Sequence, residues 1–462
     1  MHKIRLAIFY QKFIYILRFF YENYKNKIAI STTAVILFLG LFQSCSQEKI
    51  EATVFVRKTS SGYELVRNGK IFLIKGTSGN SNFKELKKAG GNTIRIYDTT
   101  NLVQTLDEAD KAGLAVILDI PIPRYIVPDS VYANNSQMNR LFEDIRAFVI
   151  KYKNHPALLY WMLGNELKAP DLPGDDNFYD NFNKLVRLVK ETDHNHPVST
   201  AVGGFDRSRI LSINHKVNNL DLLSINIFGE LSTFGSRKKL IYPLWHGPYV
   251  FSEFGVNGPW EAEQTLWNSP IEQTSTKKAE QYKNRYEKYI KTLDDGRFLG
   301  SLTFYWGHKQ ERTHTWFSFF SETGKRTQAV FEMESLWKNQ ERTFLGPRIN
   351  YVLLNGKGAQ ESIILNSNEK VNTQLLLADN QSSSQFKTRW EIRPENWNYL
   401  HYGEEAKPAP INNLFLSSGS TKSSFISPMK EGPYRLFVYV EDNKEFHATA
   451  NVPFYVLNPN NE

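Results

Sequence analysis

Two glutamates close two apolar runs in this chain. Leu158 to Leu163 reads LLYWML and stops at Gly164, Asn165 and Glu166, while Tyr249 to Gly255 reads YVFSEFG and carries Glu253. Uninterrupted apolar runs of this length suit strands buried on both faces of a parallel sheet. In a closed parallel barrel the reacting groups sit where such strands end. A pair of carboxylates on one rim is what cleavage of a glycosidic bond with retention requires, at a separation of roughly 5–5.5 Å. One carboxyl protonates the leaving oxygen and the other attacks the anomeric carbon. A single strand-terminal glutamate meeting a basic neighbour would mean only a structural ion pair; the two together favour chemistry.

Within that pattern Glu166 suits the acid/base and Glu253 the nucleophile. Asn165 is placed to hold a sugar 2-hydroxyl. Arg95, in the strand Asn92 to Tyr97 (NTIRIY), is placed to favour the ionised form of Glu253, since an adjacent cation lowers a carboxyl pKa. Asn226 lies on a later strand of the same rim. Trp306, at the end of LGSLTFYW, offers a flat face for a sugar ring or else packs in the barrel. His308 opens the polar stretch GHKQERTHTWF, which reads as a wall of the sugar site or as a solvated loop.

Positioning these groups takes a repeating scaffold. After a hairpin pair over Thr53 to Arg67 and a tight turn at Asn68-Gly69, strands and helices alternate. The expected strands are 70–76, 92–97, 114–120, 158–163, 198–202, 222–227, 249–252 and 299–306. The expected helices are 83–89, 103–112, 137–153, 178–192, about 208–214, 277–293 and 328–337, with 228–246 mostly loop. About eight strand–helix units argue for an α/β fold, a (β/α)8 TIM barrel, over residues 53–342. From residue 346 to 462 helix signals vanish, and short strands such as INYVLL, TQLLLA, TRWEI and YRLFVYV recur between Asn, Gly, Ser and Pro turns. A small all-β sandwich of immunoglobulin-like type is expected there. The aromatic cluster Trp397, Tyr399, His401 and Tyr402 reads as a sugar-binding patch or as packing against the barrel.

The formal net charge is +8. Residues 1–44 hold six Lys/Arg against Glu22, a net of +5, which leaves +3 (8 − 5) for the remainder. No dense basic block remains, so nucleic acid is not an expected partner. The leader is basic and then apolar from Ile28 to Phe42, as in an export signal, and ends LFQSCS at Cys45, the only cysteine. That ending resembles the lipobox of bacterial lipoproteins. It implies a lipidated Cys45, a tether over 45–52 and a protein exported and held at a membrane; a plain transmembrane anchor is the alternative. His194 and His196 in DHNHP lack further ligands for a metal. Neither a Gly-rich phosphate loop nor a GxSxG elbow occurs, so no metal and no cofactor is expected.

Asn165-Glu166 after a fourth barrel strand, Glu253 after a seventh and Trp306 after an eighth resemble the retaining glycoside hydrolases of the large (β/α)8 clan. The likeness is greatest to the catalytic domain of the family 2 enzymes: Val66 to Gly76 resembles their opening hairpin, Asn92-Thr-Ile-Arg95 their second strand and Leu163-Gly-Asn-Glu166 their acid/base strand. Asn92 to Ile120 is also similar to fungal β-1,3-glucanosyltransferases. The resemblance covers roughly residues 65–340 and implies a retaining glycosidase acting on an oligo- or polysaccharide. A transglycosylase using the same carboxylates, or a non-catalytic carbohydrate-binding surface lipoprotein, are the alternatives. One departure stands out: Phe228 follows Asn226-Ile227 where many relatives carry a tyrosine that contacts the nucleophile, and Phe228 has no hydrogen to donate.

Overall fold

The computed structural model describes residues 53–123, 131–171, 176–234, 243–395 and 406–458. The leader, Cys45 and the cluster from Trp397 to Tyr402 lie outside the described residues.

Strands β4 (Ile74–Ser78), β5 (Thr93–Ile96), β6 (Ala115–Ile120), β7 (Leu158–Asn165), β8 (Val198–Gly203), β9 (Leu222–Ile227), β10 (Tyr249–Phe254) and β11 (Phe298–Thr303) close a barrel in which β11 pairs back to β4. Every pairing in it is parallel. Among the described residues, helices α1 (Phe83–Lys88), α2 (Leu102–Lys111), α3 (Asn135–Tyr152), α4 (Asp176–Thr192), α5 (Arg207–Lys216), α6 (Ser275–Arg285) and α7 (Gln328–Lys338) follow these strands. Three of these helices, α3, α5 and α6, start at side-chain caps. Asn134, Asp206 and Thr274 each accept a backbone N–H of the first turn through their side chains.

Alternation along the strands decides what faces the barrel axis. Ala115 and Ile117 point inward while Val116, Leu118 and Ile120 pack under the helices. The same phase puts Asp119 inward, and on β5 it puts Thr93 and Arg95 inward between Ile94 and Ile96. The antiparallel hairpins β1 (Val54–Thr59), β2 (Gly62–Arg67) and β3 (Lys70–Ile71) plug the amino-terminal end of the barrel. Val54 and Leu65 join Ile117, Met162, Val250 and Leu302 in one buried cluster. The carboxyl-terminal mouth is left for chemistry.

Beyond the barrel, β12 (Ile349–Leu354), β14 (Lys370–Leu377), β17 (Lys422–Ile426) and β16 (Phe415–Ser418) form one sheet. A second sheet holds β13 (Ile364–Asn366), β19 (His447–Leu457), β18 (Gly432–Glu441) and β15 (Lys387–Pro394). They sandwich a core that includes Ile349, Val371, Trp390, Phe425, Leu436 and Phe454. β16 and β17 escape the sequence reading because they are serine-rich; only Ser423 and Phe425 of β17 face the core. A buried polar seam joins sandwich to barrel: Lys278 lies 2.6 Å from Glu272, whose other oxygen accepts from Asn451 at 2.6 Å. Arg435 of β18 donates to the Pro270 carbonyl at 2.8 Å.

Several expected boundaries move. The strand expected over 70–76 divides into β3, which pairs antiparallel with β2, and the barrel strand β4, because the chain turns from the hairpin into the barrel between them. β11 ends at Thr303, three residues before Trp306. The helix expected over 277–293 ends its α-helical part at Arg285 and continues as a π-turn, Tyr286–Ile290.

Candidate active site

Glu166 and Glu253 reach the mouth by local irregularities in their strands. On β10, Val250 and Ser252 face inward, so strict alternation would turn Glu253 outward toward the helices. The pairing shifts between Phe251 and Glu253, and the carboxylate turns to the axis beside Ser252. On β7 the pairing with β8 shifts between Met162 and Asn165, around Gly164 at φ +76°. Glu166 itself adopts φ +48°, a left-handed conformation uncommon for a residue with a side chain. Opposite it, a Cβ on Gly203 would stand 2.9 Å from the Glu166 carboxyl carbon, so the absence of a side chain at the end of β8 makes room for this carboxylate.

Arg95 is the hub. It is fully buried, and its five N–H groups meet five acceptors. Nε and Nη2 bond the two oxygens of Asp119 at 2.8 and 2.7 Å, and Nη2 also donates to Asn165 Oδ1 at 2.9 Å. Nη1 donates to Asn226 Oδ1 at 3.2 Å and to Glu253 Oε1 at 3.1 Å. Burial works against the guanidinium charge, yet Asp119 and Glu253 hold its pKa well above the ordinary value. The fork therefore stays charged and fixes both amides. Ser252 also donates to Asn226 Oδ1, at 2.8 Å, which turns Asn226 Nδ2 toward Asn165 Oδ1 at 3.0 Å and Glu166 Oε1 at 2.8 Å.

Glu253 has a second donor. The Tyr97 hydroxyl, from the residue just after β5, bonds the same Oε1 at 2.7 Å. Burial holds the Tyr97 pKa well above its ordinary value, so the phenol keeps the proton it donates. Phe228 is buried against Phe304 and Phe317, and the donor missing there is supplied across the barrel by Tyr97. Among the described residues nothing hydrogen-bonds Oε2 of Glu253, which is left for an incoming atom.

The electrostatics pull two ways. Burial pushes the Glu253 carboxyl up to about 8, and the charges of Glu166 and Glu311 add to that; Arg95 and the Tyr97 hydrogen bond pull it down. The charge of Glu166 is thus one of the influences that disfavour ionisation of Glu253.

The structure thus gathers Glu166, Glu253, Asn165, Arg95 and Asn226 at one point. It places two other expected residues elsewhere. Trp306 is fully buried, packed on Phe319, Phe320 and Trp337 with Nε1 donating to the Asn82 carbonyl at 3.2 Å, and has no free face for a sugar. The strand ends before it, and the chain carries it behind the mouth against α7. His308 turns to the sandwich, where its Nε2 lies 3.8 Å from Glu322 in a pocket shared with His314, Arg389, Lys407 and Tyr439. From the same polar stretch, Lys309 and Glu311 do stay near the mouth. They pair at 3.3 Å, and Lys309 Nζ lies 5.8 Å from the centre of the Phe304 ring. Tyr97, Asp119, Ser252 and Gly203 are the site residues that sequence reasoning did not single out.

Among the described residues no group of His, Cys, Asp and Glu is arranged to hold a metal ion, and no helix is long and apolar enough to cross a membrane.

Residues 67–294 match the sequence profile of the glycosyl hydrolases family 2, TIM barrel domain. The rat (Rattus norvegicus) beta-glucuronidase is 22% identical over 188 residues, which cover 38% of this chain and 27% of the relative. Among solved structures, beta-glucuronidase 2 of Bacteroides uniformis, covalently bound to cyclophellitol-6-carboxylate aziridine, is 14% identical with a TM-score of 0.48. The match covers 88% of this chain and 48% of that one. The beta-D-glucuronidase of Dictyoglomus thermophilum is 18% identical, with a TM-score of 0.48 over 63% of this chain and 54% of that one. The chain thus spans about a quarter of the curated relative's length. The matched residues fall largely within the closed (β/α)8 barrel, which is therefore similar to the TIM-barrel domain of the family 2 glycosyl hydrolases.

Proposed function

We propose that this family 2-type barrel is the catalytic domain of a retaining glycosidase that cleaves an oligo- or polysaccharide through a glycosyl-enzyme intermediate. One observation carries the reading: both donors to Glu253 converge on Oε1, leaving Oε2 open, while Asn226 links the same Arg95 to Glu166. A nucleophile held by one oxygen and free at the other, with a second carboxylate tied to the same scaffold, fits double displacement.

Double displacement runs from the state in which Glu166 carries a proton and Glu253 is ionised. As the bond from C1 to the leaving oxygen breaks, the Glu166 proton passes to that oxygen and Glu253 Oε2 bonds C1. Positive charge developing at the sugar ring favours the Glu253 anion, and Arg95 and Tyr97 stabilise it during that step. Glu166, now a carboxylate, takes a proton from water. The oxygen of that water attacks C1, and Glu253 departs with the electron pair. Asn165 keeps its amide nitrogen available, since its oxygen is taken by Arg95 and Asn226. That nitrogen is the group we assign to the sugar 2-hydroxyl.

The leader and Cys45 support, by sequence alone, an exported protein held at a membrane by a lipid on Cys45. The sugar is tested with a panel of aryl glycosides and defined oligosaccharides, β-glucuronides included because the relatives bear that name. Release from at least one substrate, abolished by Glu253→Ala, is expected. Glycan binding with no release from any substrate would favour a non-catalytic carbohydrate-binding protein.

A further inference from the structure

Trp260 stands in the loop that follows β10, on the same end of the barrel as Glu253, and is 51% exposed. An exposed aromatic alone is ordinary. This one is held in place from several sides. Its ring stands perpendicular to that of Phe228, centroids 5.5 Å apart at 89°, and lies 6.3 Å from Phe317. A Cβ on Gly258 would collide with the indole, so the ring rests directly against the backbone. Glu261, the next residue, accepts from the Gly258 N–H at 2.9 Å and from the Gly229 N–H with both oxygens, which ties this loop to the end of β9.

The rings beneath it form a band leading to the reaction centre. Phe228 and Phe317 both touch Phe304, and Phe304 meets Tyr97 edge-on at 6.5 Å. Tyr97 is the residue that bonds Glu253. Phe228, Phe304 and Phe317 are buried, so Trp260 is the outermost ring of the band and the one with an accessible face. Lys309, above the Phe304 ring, and its partner Glu311 flank the band with groups able to bond hydroxyls. An aromatic face of fixed orientation beside polar side chains is the arrangement that stacks the apolar face of a pyranose.

We infer that Trp260 is the platform of an outer sugar subsite, so that the substrate is a chain of two or more sugars reaching beyond the residue held at Glu253. The inference rests on the glycosidase reading, and its test keeps the two apart. Binding of oligosaccharides of two to six units (cello-, manno-, xylo- and laminari-series) is followed by calorimetry in the intact protein and in Trp260→Ala. Turnover of the same oligosaccharides and of aryl monoglycosides is measured alongside. Expected is a loss of about 10-fold in oligosaccharide affinity and kcat/KM in Trp260→Ala, partial retention in Trp260→Phe, and aryl monoglycoside turnover within twofold of the parent. Equal losses on both substrate types, or none on either, overturn the subsite. So does turnover of monoglycosides with no oligosaccharide bound or cleaved, which leaves the glycosidase reading standing. Trp260-dependent oligosaccharide binding without turnover of anything would sustain the subsite and sink the glycosidase reading.

Discussion

Nη1 of Arg95 lies 3.1 Å from Glu253 Oε1, and the same nitrogen reaches the Asn226 amide that donates to Glu166. One buried cation thereby sets the positions of both carboxylates. Its other edge is spent on Asp119, which faces it in bidentate geometry. A point charge cannot reproduce that fork.

Arg95→Lys is therefore expected to lower kcat/KM by about 100-fold or more while keeping the charge. Arg95→Met should go further and destabilise the fold by about 3–5 kcal/mol, because Asp119 and Glu253 stay buried without their partner. Steady-state kinetics and denaturant melts read the two effects; wild-type turnover in Arg95→Lys would deny the fork its role.

Tyr97→Phe removes one hydrogen bond and keeps the packing on Phe304. A hydrogen bond to a charged group contributes about 1.5–3 kcal/mol, so kcat should fall roughly 10- to 100-fold with little change in Tm. The acid limb of kcat/KM should also move to higher pH, because a donor to the Glu253 anion is gone. A residue of merely structural importance would leave that limb in place.

Gly203→Ala tests the space opposite Glu166. The clash falls on the far end of a flexible side chain, so the fold should tolerate it and the carboxyl should be displaced. Activity is expected to drop by an order of magnitude or so while the thermal midpoint holds, which differential scanning and kinetics together would show. An unchanged rate would mean that Glu166 is not confined at this point.

Stability should carry the signature of Glu253. Its folded-state pKa of about 8 stands above the ordinary 4.5. Below pH 4.5 the carboxyl is protonated in both states, and its contribution is fully present. As pH rises toward 8 the unfolded chain ionises while the native state holds the proton, so stability falls by about 1.4 kcal/mol per pH unit from this group. Glu253→Gln removes that slope, and its stability advantage over the parent should grow by about 2 kcal/mol between pH 5 and 7. Parallel stability curves for the two proteins would place the Glu253 pKa in the ordinary carboxylate range.

Much of this arrangement was legible in the sequence, for reasons particular residues make plain. The barrel strands announce themselves because both faces are buried, which makes runs such as LLYWML apolar throughout. Glu166 and Glu253 stand out as a pair, because one such carboxylate alone would read as a structural ion pair. Asp119 and Tyr97 carried a signal of the same kind, an inward phase shared with Ile117 and Arg95, but a single polar residue at a strand end is also an ordinary strand terminus. Gly203 and Ser252 gave none, since their roles depend on what lies across the barrel. Trp306 misled because the strand stops at Thr303, and three residues of loop suffice to carry a ring from the mouth to the space behind it. His308 depended on where the sandwich docks, a contact made by Glu322, Lys407 and Tyr439 that local pattern does not encode.

The lipid proposal for Cys45 is tested by Cys45→Ala, which should abolish incorporation of a radiolabelled fatty acid and leave the leader unprocessed on a gel. Unchanged labelling and size would instead indicate a plain transmembrane anchor.

The roles of the two carboxylates are tested most directly by the products formed with azide from an activated aryl glycoside that the parent enzyme cleaves. In Glu166→Ala a good leaving group departs unprotonated, the glycosyl-enzyme forms on Glu253, and azide attacks it without a general base. Turnover should recover and yield a glycosyl azide of retained configuration, read from the anomeric coupling in the NMR spectrum. In Glu253→Ala azide must attack the substrate itself and give the inverted product. The opposite assignment of products would reverse the two roles, and full activity without azide in either variant would remove that glutamate from the mechanism.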